Sequence, residues 1–197
     1  NGGAVDTNVI TAGEEYTFEM PMEDATITVE IEDESEFAGG SGTVEDPWLI
    51  STPQQLDNIR NYLGAENSDK QFKLKNNINL AEYLGEGGSG YNDGAGWLPI
   101  GEKTAIKEYE YFTGIFDGDG KTISHLYINR PDMNNVALFR GVGYSTGQGK
   151  ITNLNLEDAV VTGYSYVGVL AGRSTGTVED ITIDGTVIGY SDVGVIL

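Results

Sequence analysis

The chain has 197 residues, 39% of them hydrophobic, which is enough apolar matter for one large core, or a core with a small neighbour, and too much for wholesale disorder. Its 31 acidic residues against 11 basic give a net charge of −20, which argues against a nucleic-acid backbone or an anionic membrane surface as partner. With no cysteine and one histidine, His125, a disulfide framework, a thiolate metal site and a multi-imidazole site are all ruled out.

No apolar run approaches the roughly 20 residues of a membrane-spanning helix, so no membrane insertion is expected of this segment, and Asn1 starts no signal peptide. The sequence reads as a piece of something longer. Its 28 glycines have no collagen-like period and fall at the ends of short apolar runs, where turns need positive φ.

Residues 1–36 read as part of a small β-rich module. Glu15–Pro21 and Ala25–Ile31 alternate polar and apolar residues, as half-buried strands do, with Met22-Glu23-Asp24 turning between them. Tyr16-Thr17-Phe18-x-Met20-Pro21 resembles the closing strands of the internalin-type B repeat of bacterial surface proteins. An acidic, glycine-rich stretch follows, and residues 37–42 are expected to be an exposed linker.

From 43 to 197 the main domain is expected. A helix over about 52–63 has Ser51 or Thr52 as cap, Pro53 at its first position and Gly64 to end it. Leu56, Ile59, Tyr62 and Leu63 share one face. That helix is expected to cap the N-terminal end of a stack. Phe72, Leu74, Ile78 and Leu80 give short strands, and residues 85–96 a flexible excursion. Trp97–Gly101 brings the chain back to the core, and Phe112–Phe116 is a strand closed by the turn Asp117-Gly118-Asp119-Gly120.

The later part of the chain repeats itself. Ile123, Leu126, Ile128 recur as Ile151, Leu154, Leu156 and again as Val178, Ile181, Ile183, each spaced apolar-x-x-apolar-x-apolar. Gly163–Leu170 recurs as Gly189–Ile196, with a weaker copy at Asn134–Phe139. A period in the twenties means one structural unit stacked on the next. The expectation is that Ile123, Ile151 and Val178 form a single inward-facing file, while Asn153 and Asp180 face solvent or turn.

A set of residues then resembles one bacterial family. It comprises Gly42-Thr43-x-x-Asp46-Pro47-Trp48-Leu49-Ile50, Trp97-x-Pro99-Ile100-Gly101, Phe112-x-Gly114-x-Phe116-Asp117-Gly118-x-Gly120-x-x-Ile123, and Gly168-Val169-Leu170-Ala171-Gly172. It is similar to the GLUG-motif proteins, with Gly168-Val169-Leu170 where that family has Gly-Gly-Leu. The resemblance implies an all-β fold: a right-handed parallel β-helix, or solenoid, on a bacterial surface, with a scaffold role and no catalytic residues. It also implies a place beside secreted peptidases in some members.

For chemistry, Asp117 and Asp119 are Ca²⁺ candidates on a glycine turn, set against a tight turn that needs no metal. No other cofactor is expected. Paired acids open a glycosidase reading. Against it, the basic residues Arg130, Arg140, Lys150 and Arg173 show no recurrence with acids at a stacking interval. His125 reads as a surface residue. Tyr164 and Tyr190 lie one repeat apart and are expected to stack on one side, giving a candidate contact surface for protein or sugar.

The expected function is a non-enzymatic adhesive or ligand-presenting module of a secreted or cell-surface bacterial protein, meeting a host or matrix protein or a glycan. The alternatives are a carbohydrate-active β-helix enzyme and an accessory region of a secreted peptidase. An open end of the stack is also expected to favour self-association.

Overall fold

The computed structural model describes residues 35–101, 110–143 and 148–194. The partial β module expected over 1–36 lies outside the described residues but for its last two positions. From Glu36 onward the described residues form one compact unit.

In chain order the elements are β1 (Trp48–Ile50), α1 (Pro53–Asp57), β2 (Gln71–Leu74), β3 (Ile78–Asn79), α2 (Ala81–Leu84), β4 (Ile115–Asp117), β5 (Thr122–Ser124), β6 (Tyr127–Asn129), β7 (Asn134–Val136), β8 (Lys150–Thr162), β9 (Ser165–Val167), β10 (Thr177–Ile188) and β11 (Ser191–Val193). The fold is all-β, and its paired strands are parallel. One sheet runs β1-β2-β4-β8-β5-β3, with β6 and β10 also on β8, and a second runs β11-β9-β7. The long β8 takes three neighbours from the preceding tier, β4, β5 and β6, along its length, and β10 lies on its other edge.

A β-strand cannot satisfy its backbone hydrogen bonds by itself, so pairing runs from one tier to the next and apolar side chains collect in files inside. One file runs Trp48, Phe72, Phe116, Ile151, Val178. A second runs Ile78, Ile123, Leu156, Ile183. Others are Ile128, Val161, Val187, then Val136, Val167, Val193, and Ile100, Phe139, Ala171. Most members are fully buried, each adding roughly 1.5–3 kcal/mol of burial free energy.

These files correct the expected register. Ile151 and Val178 do pair, but Ile123 lies against Leu156, one file over. The reason lies in β8, which carries the apolar pattern twice: Ile151-Leu154-Leu156 and then Leu156-Ala159-Val161. The Ile123 segment matches the second copy, so its near-even interval to Ile151 was coincidental.

Each copy turns on a residue two places after its first apolar position. His125, Asn153, Asp158 and Asp180 all sit there with φ between 52° and 60°. Asparagine and aspartate tolerate this left-handed geometry best among side chains. The smaller sheet turns the same way at Asn135, Tyr166 and Asp192. The pattern thus marks a corner of a tier, and a tier has more than one.

The helix also differs from expectation. Thr52 is its cap, its Oγ1 accepting from Gln55 N–H at 3.2 Å, and Gln55 Oε1 accepts from Ser51 N–H at 2.9 Å. The α-helix proper ends at Asp57 and tightens to a 3₁₀ turn over Asn58–Asn61. Asn58 and Asn61 are poor helix formers, and Arg60 is held by Asp57 and by the carbonyl of Leu98. Leu56, Ile59 and Leu63 still reach the core.

Residues 37–42, read as an exposed linker, are built into the body. Phe37 is buried, stacked on Trp48 at 5.0 Å and packed beside Tyr62 and Phe72. Ala38 N–H donates to the Leu49 carbonyl, and Leu49 N–H to that of Gly39, so this strip lies along the outer edge of β1. An aromatic residue set among acids and glycines was enough to fasten it.

The 85–96 excursion is likewise ordered by contacts. Asn92 Nδ2 donates to the carbonyls of Gly90 and Gly96. A Cβ at Gly88 would meet the Glu82 carbonyl oxygen at 2.3 Å, so only glycine lets the loop close there.

Candidate functional site

Glycines aim the tyrosine pair outward. Gly163 and Gly189 lie so close to the valines of the smaller sheet that an added Cβ would meet their side chains at 2.8–2.9 Å. The next residues, Tyr164 and Tyr190, are therefore pushed to the exterior. Tyr190 N–H donates to the Tyr164 carbonyl at 2.7 Å, which sets one directly above the other. Their rings stack at 5.3 Å with 6° between planes, and they are 46% and 80% exposed.

Because the two rings face each other, what they offer outward is their edges, their hydroxyls and the outer face of Tyr190. Beside them Ser165 and Ser191 bond hydroxyl to hydroxyl at 2.8 Å, Ser165 Oγ donates to Asp192 Oδ2, and the Arg173 guanidinium sits 4.3 Å over the Tyr166 ring. Aromatic area with polar rims suits a protein or sugar contact.

Asp117 and Asp119 come together at the turn after β4, but with lysines around them. Lys73 Nζ lies 2.8 Å from Asp119 and 3.8 Å from Asp117, and Lys121 Nζ lies 3.2 Å from Asp119. Asp117 Oδ1 also accepts from Asp119 N–H and from Asn153 Nδ2. The hydrogen bonds from Lys73 and Lys121 hold the Asp119 carboxyl below its usual range, and Asp119 in turn raises the Lys73 ammonium. A donor set already matched by two ammonium groups does not fit a resident Ca²⁺ ion.

His125 is exposed at its corner, with Nε2 4.0 Å from Asp158 Oδ2 on the tier above. The pair borders a shallow cleft of about 330 Å³ lined by Leu84, Tyr127 and Val160. Lys150, expected to lack an acid at the stacking interval, pairs with Glu179 across tiers at 2.7 Å. Arg130 donates to the carbonyls of Trp97 and Gly96, and Arg140 is buried. The His125–Asp158 juxtaposition escaped the sequence reading. Recognising that β8 holds the corner pattern twice would have exposed it.

Tiers of parallel strands with an aromatic pair on the outside define an all-β stacked scaffold. No family model matches the chain. A candidate Gly-rich membrane protein of Evansella cellulosilytica is 37% identical over 155 residues, covering 77% of this chain and 16% of that protein. The halomucin of Haloquadratum walsbyi is 38% identical over 155 residues, covering 79% of this chain and 2% of that protein. The chain therefore spans only a small part of the length of these relatives.

Among solved structures, a candidate immunoglobulin A1 protease from Bacteroides ovatus superposes with a TM-score of 0.50 at 18% identity, over 77% of this chain and 51% of that one. That likeness is one of fold. Among the described residues no helix is long and apolar enough to cross a membrane.

Proposed function

We propose that this chain is a non-enzymatic module of a cell-surface or secreted protein, built as a right-handed parallel β-helix of GLUG type, and that it contacts a host or matrix protein or a glycan. The observation that carries the reading is the exposed Tyr164–Tyr190 stack on a rigid, repeating scaffold. The names of the two relatives, a membrane protein and a mucin-like one, support a surface location. In this reading each tier is one coil, and α1 with its 3₁₀ extension caps the N-terminal end.

At the Asp117–Asp119 turn the carboxylates are already paired with Lys73 and Lys121, so this turn does not support the hydrolytic reading. The fold shared with the Bacteroides ovatus protein supports a second reading, an accessory region of a secreted peptidase.

The test is an array of glycans and matrix proteins run beside a reducing-sugar assay. Binding without turnover, weakened by Tyr190→Ala, is expected. Turnover that disappears when acids are replaced would install the carbohydrate-active enzyme instead.

A further inference from the structure

A cleft in the middle of the stack combines an apolar wall with a polar rim. It opens between α2 on one side and the β5–β6 corner and β8 on the other, with a volume of about 330 Å³. Leu84 and Leu126 are buried behind it, while Tyr127 and Val160 are 40% and 41% exposed. These last two lie opposite each other in the β6–β8 register, and their neighbours Ile128 and Val161 face inward, so both point outward.

Their exposure does not come from a strand edge. The Tyr127 carbonyl accepts from Trp97 N–H at 2.9 Å, Val160 N–H donates to the Leu126 carbonyl at 2.8 Å, and Thr186 of β10 pairs with Val160 from the other side. The backbone under the wall is therefore fixed by its neighbours.

The rim is the His125–Asp158 pair. His125 Nε2 lies 4.0 Å from Asp158 Oδ2, too far for a direct hydrogen bond, so both groups stay available to a third. With the imidazole proton on Nε2, one hydroxyl set between them can accept from His125 and donate to Asp158.

A pyranose ring matches both features, since it has a face of C–H bonds and a rim of hydroxyls. Its slightly positive C–H hydrogens suit the negative face of a tyrosine ring. The volume is at the low end for small-molecule sites, which fits one or two rings. An aliphatic peptide side chain would use the wall and leave the pair idle. The net charge of −20, with Asp158 at the rim, turns away carboxylated or sulfated sugars.

We infer that this cleft holds a neutral pyranose unit of a glycan, with its C–H face against Tyr127 and Val160 and a hydroxyl between His125 and Asp158. The inference rests on the chain being a binding module, and gives that module a glycan contact apart from the Tyr164–Tyr190 stack.

The test is amide NMR of the whole ¹⁵N-labelled chain, titrated with the methyl glycosides of glucose, galactose and mannose, with methyl glucuronide and with cyclohexanol. Saturable shifts centred on Leu126, Tyr127 and Val160 are expected with at least one neutral glycoside, and Tyr190→Ala should leave them in place. Tyr127→Val, which retains a strand-favouring side chain, should weaken binding about tenfold, and Tyr127→Phe by no more than about twofold. Asp158→Asn should cost about fivefold, with asparagine still suited to the φ of 54° there.

Silence of the cleft amides towards all three neutral glycosides overturns the inference, as does binding that Tyr127→Val leaves intact. Where Tyr127→Val loses its dispersed spectrum, Asp158→Asn decides in its place. Equal binding of the glucuronide or of cyclohexanol overturns it too, since charge or rim would then select nothing. Shifts confined to Tyr164 and Tyr190 move the glycan to the stack. Matrix-protein binding without glycoside binding removes this inference and leaves the proposed function standing, whereas loss of both removes both.

Discussion

The first and the last described tiers of the stack are covered in opposite ways. At the N-terminal end Phe37 covers Trp48, the 38–39 strip occupies the outer edge of β1, and Phe72 sits among Phe37, Trp48, Tyr62 and Phe112. At the other end β10 carries its aliphatic row half in water. The lesson is that burial here depends less on the residue type than on having a tier on both sides, since aliphatic residues of one file go from fully to partly covered in a single step.

The largest expected effect tests that contrast directly. Phe72→Ala at the closed end should cost about 3–5 kcal/mol, because a 1%-exposed ring leaves a cavity under four others, while Ile181→Ala at the open end should cost about 1 kcal/mol. Denaturant unfolding monitored by circular dichroism compares them. Equal losses would mean the ends are equally packed.

Next come the glycines. Gly40 has φ +86°, and a Cβ there would meet the Pro47 carbonyl oxygen at 2.0 Å, so Gly40→Ala should lose about 2–3 kcal/mol. Gly189→Ala meets only valine methyls at 2.8 Å and should lose about 1 kcal/mol. Thermal melts of the two variants rank them, and a reversed order contradicts the difference between the ends.

The closed end should also respond to alkali. Burial, with the hydrogen bond to Glu36 adding to it, pushes the Tyr62 phenol up to about 12, and burial beside Asp57 does the same for Tyr83. Both shifts favour the protonated phenol in the folded state. Their contribution is therefore whole below pH 10, the ordinary tyrosine value, and is lost as pH rises towards 12. Tyr62→Phe should flatten that decline in a pH series of denaturation midpoints. An unchanged slope would count against the buried phenol.

The smallest effect belongs to the tyrosine stack at the open end. A double-mutant cycle on Tyr164→Ala and Tyr190→Ala should give a coupling of about 0.5–1 kcal/mol. A coupling near zero would leave the pair free for ligand contact alone.

Much of this was legible in the chain. The 27-residue interval from Ile151 to Val178 held because both strands are long and carry the same corner residue, Asn153 or Asp180, at the same place. The earlier tier was misaligned because a short local pattern recurs within a tier as well as between tiers, and spacing alone does not separate the two. The tyrosine stack could be read from Gly-Tyr-Ser repeating at one interval. The lysines around Asp119 could not, since Lys73 reaches it only through the β2–β4 pairing, 46 positions away in the chain. Phe37 was lost to the average composition of its neighbours.

The corner pattern also bears on how such a molecule can grow. From Ile123 to Ile128, from Ile151 to Leu156 and from Val178 to Ile183, one inward residue is carried to the next equivalent position in five steps, past the inward Leu126, Leu154 or Ile181 and with the bend included. An insertion or deletion of five residues at a corner therefore returns the chain in phase, with every later aliphatic group still pointing to the interior, whereas a slip of one residue would turn the rest of that strand inside out. Lineages carrying this architecture should accordingly vary the girth of their stacks in quanta of five.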